Sequence, residues 1–143
     1  MLRAARKSFE DAYRRHLAAS LVAGENRTVS HVLLLIYGLE CGMKAILMRK
    51  FKAKFWEEID PALGCGTSGH DLAEGLKNLG LSARLTISRR RTAADRDGRQ
   101  EDVTTAQLHE ACRYAIPLEG SDYPQMQNQL DAILEWIKTQ LGG

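Results

Sequence analysis

Apolar residues recur at helical spacing along most of the chain, and glycine or proline marks the breaks between the periodic stretches. Phe9, Tyr13, His16, Leu17 and Leu21 fall on one face of a helix predicted over about residues 2–23, with Gly24-Glu25-Asn26 as its stop. Ser30 is placed to cap a second helix, nearly continuous in apolar residues over 32–48 and extending toward Ile59, where Asp60-Pro61 ends it. On a wheel of 100° per residue, Leu33, Tyr37, Glu40, Lys44 and Leu47 share one narrow face. Gly38 and Gly42 lie opposite, beside Leu35 and Ile46, and leave room for a neighbouring helix. Two long segments joined by a short connection predict an antiparallel hairpin.

The later elements are shorter. A glycine-rich loop runs to Gly69-His70-Asp71-Leu72, where Asp71 or His70 can cap a helix carrying Leu72, Leu76 and Leu79, closed by Gly80. Residues 83–102 show no regular period. Thr104 or Thr105 starts a helix to Ile116, stopped by Pro117. Ser121 or Asp122 opens the last helix, with Pro124 in its first turn and a stripe of Met126, Leu130, Ile133, Leu134, Ile137 and Leu141. The expected fold is an all-α bundle of about five helices with one long basic loop, forming a single domain over residues 1–143.

Composition narrows this picture. A chain of 143 residues can bury a core without staples. The net charge of +2 implies no particular polyanionic partner. Cys41, Cys65 and Cys112 are odd in number and show neither a disulfide framework nor zinc spacing, which points to a reducing, cytoplasmic setting. Residues 1–10 are charged and lack the apolar run of a signal peptide. The stretch 32–48 approaches membrane-spanning length, but Glu40 and Lys44 would each cost about 2.5–3.5 kcal/mol near a bilayer centre. A buried core helix, and no membrane partner, is the expectation.

Four groups of residues carry candidate chemistry. Glu40 and Lys44 stand one turn apart in the favourable order, either as an ion pair at the edge of the core or, with Tyr37, as a polar pocket. The irregular segment holds Arg84, Arg89, Arg90, Arg91, Arg96 and Arg99 against four acids, an excess of two that equals the formal charge of the whole chain. It reads as a solvated connection or as a phosphate-contacting arm. Lys50, Lys52 and Lys54 alternate with aromatic rings, although Glu57, Glu58 and Asp60 follow at once. His31 and His109 are candidates for acid–base work, each with an arginine nearby, Arg27 and Arg113. Cys65 and His70 lack the further ligands a metal needs, and residues 64–69 lack the lysine and preceding strand of a P-loop. No metal or other cofactor is expected.

Tyr37-Gly38-Leu39-Glu40-Cys41-Gly42-Met43-Lys44-Ala45-Ile46-Leu47 resembles the second helix of the HEPN family of helical domains. Gly69-His70-Asp71-Leu72 is similar to the segment that follows in many members, and Leu108-His109-Glu110-Ala111-Cys112-Arg113-Tyr114 to the start of the family's late helices. The resemblance runs from about Ser8 to Leu141. It implies a bundle of four or five helices, commonly a homodimer, in prokaryotic toxin–antitoxin or defence systems. Many members are metal-independent ribonucleases whose signature is arginine, four to six residues, then histidine. Here Arg27 and His31 are separated by three residues, Arg99 and His109 by too many, and His109 precedes Arg113. The resemblance therefore implies a divergent, non-catalytic component that binds RNA or a nucleotide, with Arg84, Arg89, Arg90, Arg91, His109 and Arg113 as contacts and Tyr37, Glu40 and Lys44 as a pocket. An endoribonuclease with an atypical Arg/His site and a module that binds a partner protein are the alternatives.

Overall fold

The computed structural model describes residues 4–22, 24, 26–120 and 122–142, and the chain forms an all-α bundle. Helix α1 is Arg6–Leu21, α2 is Val29–Lys50, α3 is Leu72–Asn78, α4 is Leu108–Arg113 and α5 is Asp122–Leu141. Three parts of the expected boundaries lie outside the described residues: the start of α1 at residue 2, its stop at Ala23 and Glu25, and Ser121 at the head of α5.

Helix α2 is the hub, packed by α1, α3, α4 and α5. By length and composition it is apolar enough to cross a membrane, yet two thirds of that stretch is buried in the bundle (67%). Its glycines explain how α1 comes so close. A Cβ at Gly38 would lie 3.4 Å from His16 Cβ, and one at Gly42 would lie 2.9 Å from Tyr13 Cδ1. As position 38 advances to 42 its partner recedes from 16 to 13, so α1 and α2 form the expected antiparallel hairpin. Ile137 of α5 closes on Gly42 as well. Arg27 binds Asp131 at 3.1 Å near the start of α2, and Arg49 reaches the Gln140 carbonyl at 3.4 Å near its end. Helix α5 therefore runs alongside α2 in the same direction. Met126, Leu130, Ile133, Leu134 and Ile137 of its apolar stripe are buried as expected.

The helix ends differ from expectation. The N-cap of α2 is Thr28 rather than Ser30, and His31 accepts the Thr28 backbone N–H at 3.1 Å through Nδ1. At the other end α2 stops at Lys50, not near Ile59. Lys52 takes the left-handed conformation (φ 53°), and Ala53 N–H bonds back to the Met48 carbonyl at 2.9 Å. This is a Schellman stop built without glycine. Residues beyond it fold back as two 3-10 turns, Trp56–Glu58 and Pro61–Leu63. The Glu58 carboxylate caps the first turn and Asp60 the second. Helix α4 ends the same way at Arg113, three residues short of Ile116, with Ala115 at φ 49° and Ile116 N–H on the Ala111 carbonyl at 2.9 Å.

The long basic segment is more ordered than its composition implies. Arg90–Arg91 (β1) pairs antiparallel with Asp102–Val103 (β2), and the Asp95 carboxylate accepts the backbone N–H groups of Asp97 and Arg99 to close the hairpin. Ile87 and Val103 anchor it in the core. A 3-10 turn, Thr105–Gln107, leads into α4. The Asp71 carboxylate caps α3 through Glu74 N–H and also accepts the Thr105 hydroxyl at 2.6 Å. That single carboxylate fixes the start of α3 against the start of α4, and with it the relative positions of His70 and His109.

Candidate functional site

Glu40 sits in the middle of an apolar helix and is only 3% exposed. An isolated carboxylate there would be expensive to desolvate, so the fold has to bring a partner to it. The expected Lys44 is not that partner. His70 is, with Nδ1 2.9 Å from Glu40 Oε2. The loop after the Pro61–Leu63 turn swings His70 over α2, with Gly69 in the left-handed region at φ 75° and Asp71 capping the helix that follows. Lys44 turns its ammonium toward two rings instead, 5.7 Å from the Phe9 centroid and 5.2 Å from that of Trp56.

The second histidine comes from the first turn of α4. His109 is buried, and its ring stacks on that of His70 with centroids 4.2 Å apart and planes 31° from parallel. One turn further on, exposed Arg113 donates from Nη2 to the Tyr37 hydroxyl at 2.6 Å. The Tyr37 ring lies 6.3 Å from that of His109 and 5.9 Å from that of His16 on α1. Four separate parts of the chain thus meet at one place: Tyr37 and Glu40 from α2, His70 from a loop, His109 and Arg113 from α4, and His16 at the rim.

Electrostatics follow from this burial. Desolvation raises the Glu40 pKa above the usual carboxylate value, against the hydrogen bond and charge of His70 and the cations Lys44 and Arg113. Desolvation lowers the His109 pKa below its ordinary value, helped by His70 and Arg113 and opposed by Glu110 and the Ala106 carbonyl. His109 is therefore a neutral imidazole near pH 7. Two buried atoms of the cluster, Glu40 Oε1 and His109 Nδ1, have no hydrogen-bond partner of good geometry. One ligand atom from each of Glu40, His70 and His109 can be chosen so that all three lie within 4.8 Å of one another, so these residues could hold a metal.

Of the residues singled out in the sequence, Tyr37, Glu40, His109 and Arg113 come together. The loop arginines do not join them as a group. Arg90 is 4% exposed and donates from Nη1 to Gln125 Oε1 at 2.5 Å and from Nη2 to Gln129 Oε1 at 2.6 Å. It braces the hairpin against α5 and is spent on the fold. Arg91 pairs loosely with Asp102 across the ladder at 3.8 Å. Arg84 and Arg89 are exposed. His31 and Arg27 are occupied in capping α2 and in the Asp131 pair, so they do not form an acid–base site. A cleft of about 700 Å³ lies elsewhere, between the start of α1 and the end of α2, lined by cations such as Arg6, Arg49 and Lys54 together with Glu10 and Asp11.

His70 and His16 were not legible as site residues. The available signal was Glu40 itself: a lone acid deep in an apolar run needs a polar partner, and the glycine-rich loop holding His70 could supply one. The chain finds no significant match among family models, curated proteins or solved structures.

Proposed function

We propose that this chain is a HEPN-like domain that recognises a phosphate group of RNA or of a nucleotide, as a dimeric component of a prokaryotic toxin–antitoxin or defence system. The observation that carries the reading is Arg113. Its guanidinium is exposed, is held in place by the Tyr37 hydroxyl at 2.6 Å, and stands one helical turn from a pair of stacked imidazoles. A guanidinium fixed by Tyr37 and lying 6.0 Å from the Tyr114 ring centroid still has further N–H donors for a phosphate, and loses less freedom on binding than a mobile one. His70, more than a third exposed at 37%, opens the same cluster to solvent. Exposed Arg89 and Arg91 at the hairpin, and Arg84 ahead of it, offer a polyanion further cationic contacts.

Filter retention of labelled RNA across a salt series, with a nucleotide as competitor, tests this. Retention that falls with salt and is lost in Arg113→Ala supports the reading. No retention at low salt overturns it.

A second reading is favoured by one contact. The Glu40–His70 pair beside neutral His109 has the form of an oriented base next to a second proton-transfer group. It makes the chain a metal-independent endoribonuclease. RNA cleavage in chelator, abolished by His70→Ala, is its signature, and intact RNA after prolonged incubation excludes it.

A further inference from the structure

We infer that Glu40, His70 and His109 form a binding site for a divalent first-row transition metal, with zinc the best-matched ion. Four observations lead there. Each residue places one ligand atom within 4.8 Å of the other two, although they come from α2, a loop and α4. Tetrahedral ligands about 2.05 Å from a zinc ion stand about 3.4 Å apart, so the three converge by a modest closing movement. His70 is the partly exposed member, the one whose ring is least confined by packing.

The second observation is poorly partnered polar atoms. Glu40 Oε1 is buried in this cluster with no hydrogen-bond partner, and buried His109 Nδ1 has only the nearby Ala106 carbonyl, at poor geometry. A cation bound here satisfies the carboxylate directly. The imidazole can bind through one nitrogen while the other turns to the Ala106 carbonyl, a common outer-sphere arrangement.

Third, the donor set is selective. Two imidazoles and one carboxylate suit zinc and its neighbours in the series and leave magnesium and calcium, which prefer all-oxygen shells, poorly served.

Fourth, three protein ligands leave the fourth position of zinc open, and His70 brings the cluster to solvent. Arg113, held by Tyr37, stands next to His109 there. This part deepens the proposed function and rests on it: a phosphate oxygen on the metal would have its neighbours held by Arg113. The metal site itself does not depend on that reading. It does compete with the ribonuclease reading, because coordination removes both histidines from proton transfer.

Calorimetric titration of the chelator-stripped full chain with zinc chloride, and separately with magnesium chloride, tests the site. One equivalent of zinc is expected, with no response to magnesium. His70→Ala and Glu40→Gln should each weaken zinc binding by more than about 100-fold, beyond the roughly 10- to 100-fold cost of losing an outer-sphere partner, while Cys65→Ser leaves it unchanged. Because a substitution at Glu40 can disturb folding, cobalt spectra of the unmodified chain provide a test without variants: a nitrogen–oxygen shell gives visible bands without a thiolate charge-transfer band. No zinc uptake, wild-type affinity in His70→Ala, or a thiolate band would each overturn the inference. RNA retention in chelator by a chain that takes up no zinc would refute the metal site alone. Zinc uptake without RNA or nucleotide binding would refute the phosphate reading alone.

Discussion

The ring of Tyr13 stands where a side chain on residue 42 would have to go: a Cβ there falls 2.9 Å from Tyr13 Cδ1, with Ile137 Cγ2 at 3.0 Å on the other side. Gly42 is thus the point at which α1, α2 and α5 meet. Gly42→Ala should destabilise the fold by about 1–3 kcal/mol, since neither a buried ring nor a packed isoleucine can move away freely. Gly38→Ala is the contrasting case. Its nearest contacts are 3.4 Å, an ordinary separation, and alanine favours the helix by up to about 1 kcal/mol over glycine. Urea denaturation of both variants should shift the midpoint down for the first and leave it level or raised for the second.

Lys52 closes α2 in a conformation that suits glycine, φ 53°. Its side chain is exposed. Lys52→Gly should therefore stabilise the chain, by roughly 0.5–1 kcal/mol, despite the extra freedom it gives the unfolded state. A thermal melt showing a lower midpoint for this variant would contradict the Schellman assignment.

Burial pushes the Cys65 thiol from 9.0 up to about 12, and that of Cys112 to about 11. A thiol whose pKa is higher in the folded state holds its proton there after the unfolded chain has lost it. The stabilisation is complete below about pH 9 and is lost as pH climbs toward 11–12. Stability should fall over that window, and the fall should be shallower in Cys65→Ala than in the parent chain. The same burial should leave Cys65 unreactive toward alkylating agents at pH 8 until the protein is unfolded.

Arg90 and its neighbours should separate cleanly by assay. Arg90→Ala removes a guanidinium from two glutamine oxygens on α5 and should cost about 1.5–3 kcal/mol of stability. Arg84→Ala, Arg89→Ala and Arg91→Ala, all at exposed positions, should leave denaturation midpoints within about 0.5 kcal/mol of wild type. Their combined effect should appear as a shallower salt dependence of RNA retention.

The helices were legible because their apolar periods are long. The buried residues Met126, Leu130, Ile133, Leu134 and Ile137 are five of the six named on the expected α5 stripe, and the glycine face of α2 meets α1 and α5 as its spacing implied. Helix ends were less legible for a physical reason. The signal for a left-handed stop is glycine, and this chain uses Lys52 and Ala115 instead. The basic segment misled in a related way, since composition shows six arginines but not that Arg90 turns inward to α5. The site was half legible. Tyr37 and Glu40 share a helix face that can be read locally, whereas Glu40 and His70 are 30 residues apart and meet only through tertiary packing.

Phosphate recognition at Arg113 is most directly tested by RNA retention at low salt for the wild type and Arg113→Ala. The substituted side chain is exposed, so the fold should survive, which a matching melting curve verifies. A loss of at least about tenfold in affinity is predicted, the scale of one charge-assisted contact. Tyr37→Phe, which frees Arg113 without removing it, should show a smaller loss. Equal retention by wild type and Arg113→Ala would contradict the account.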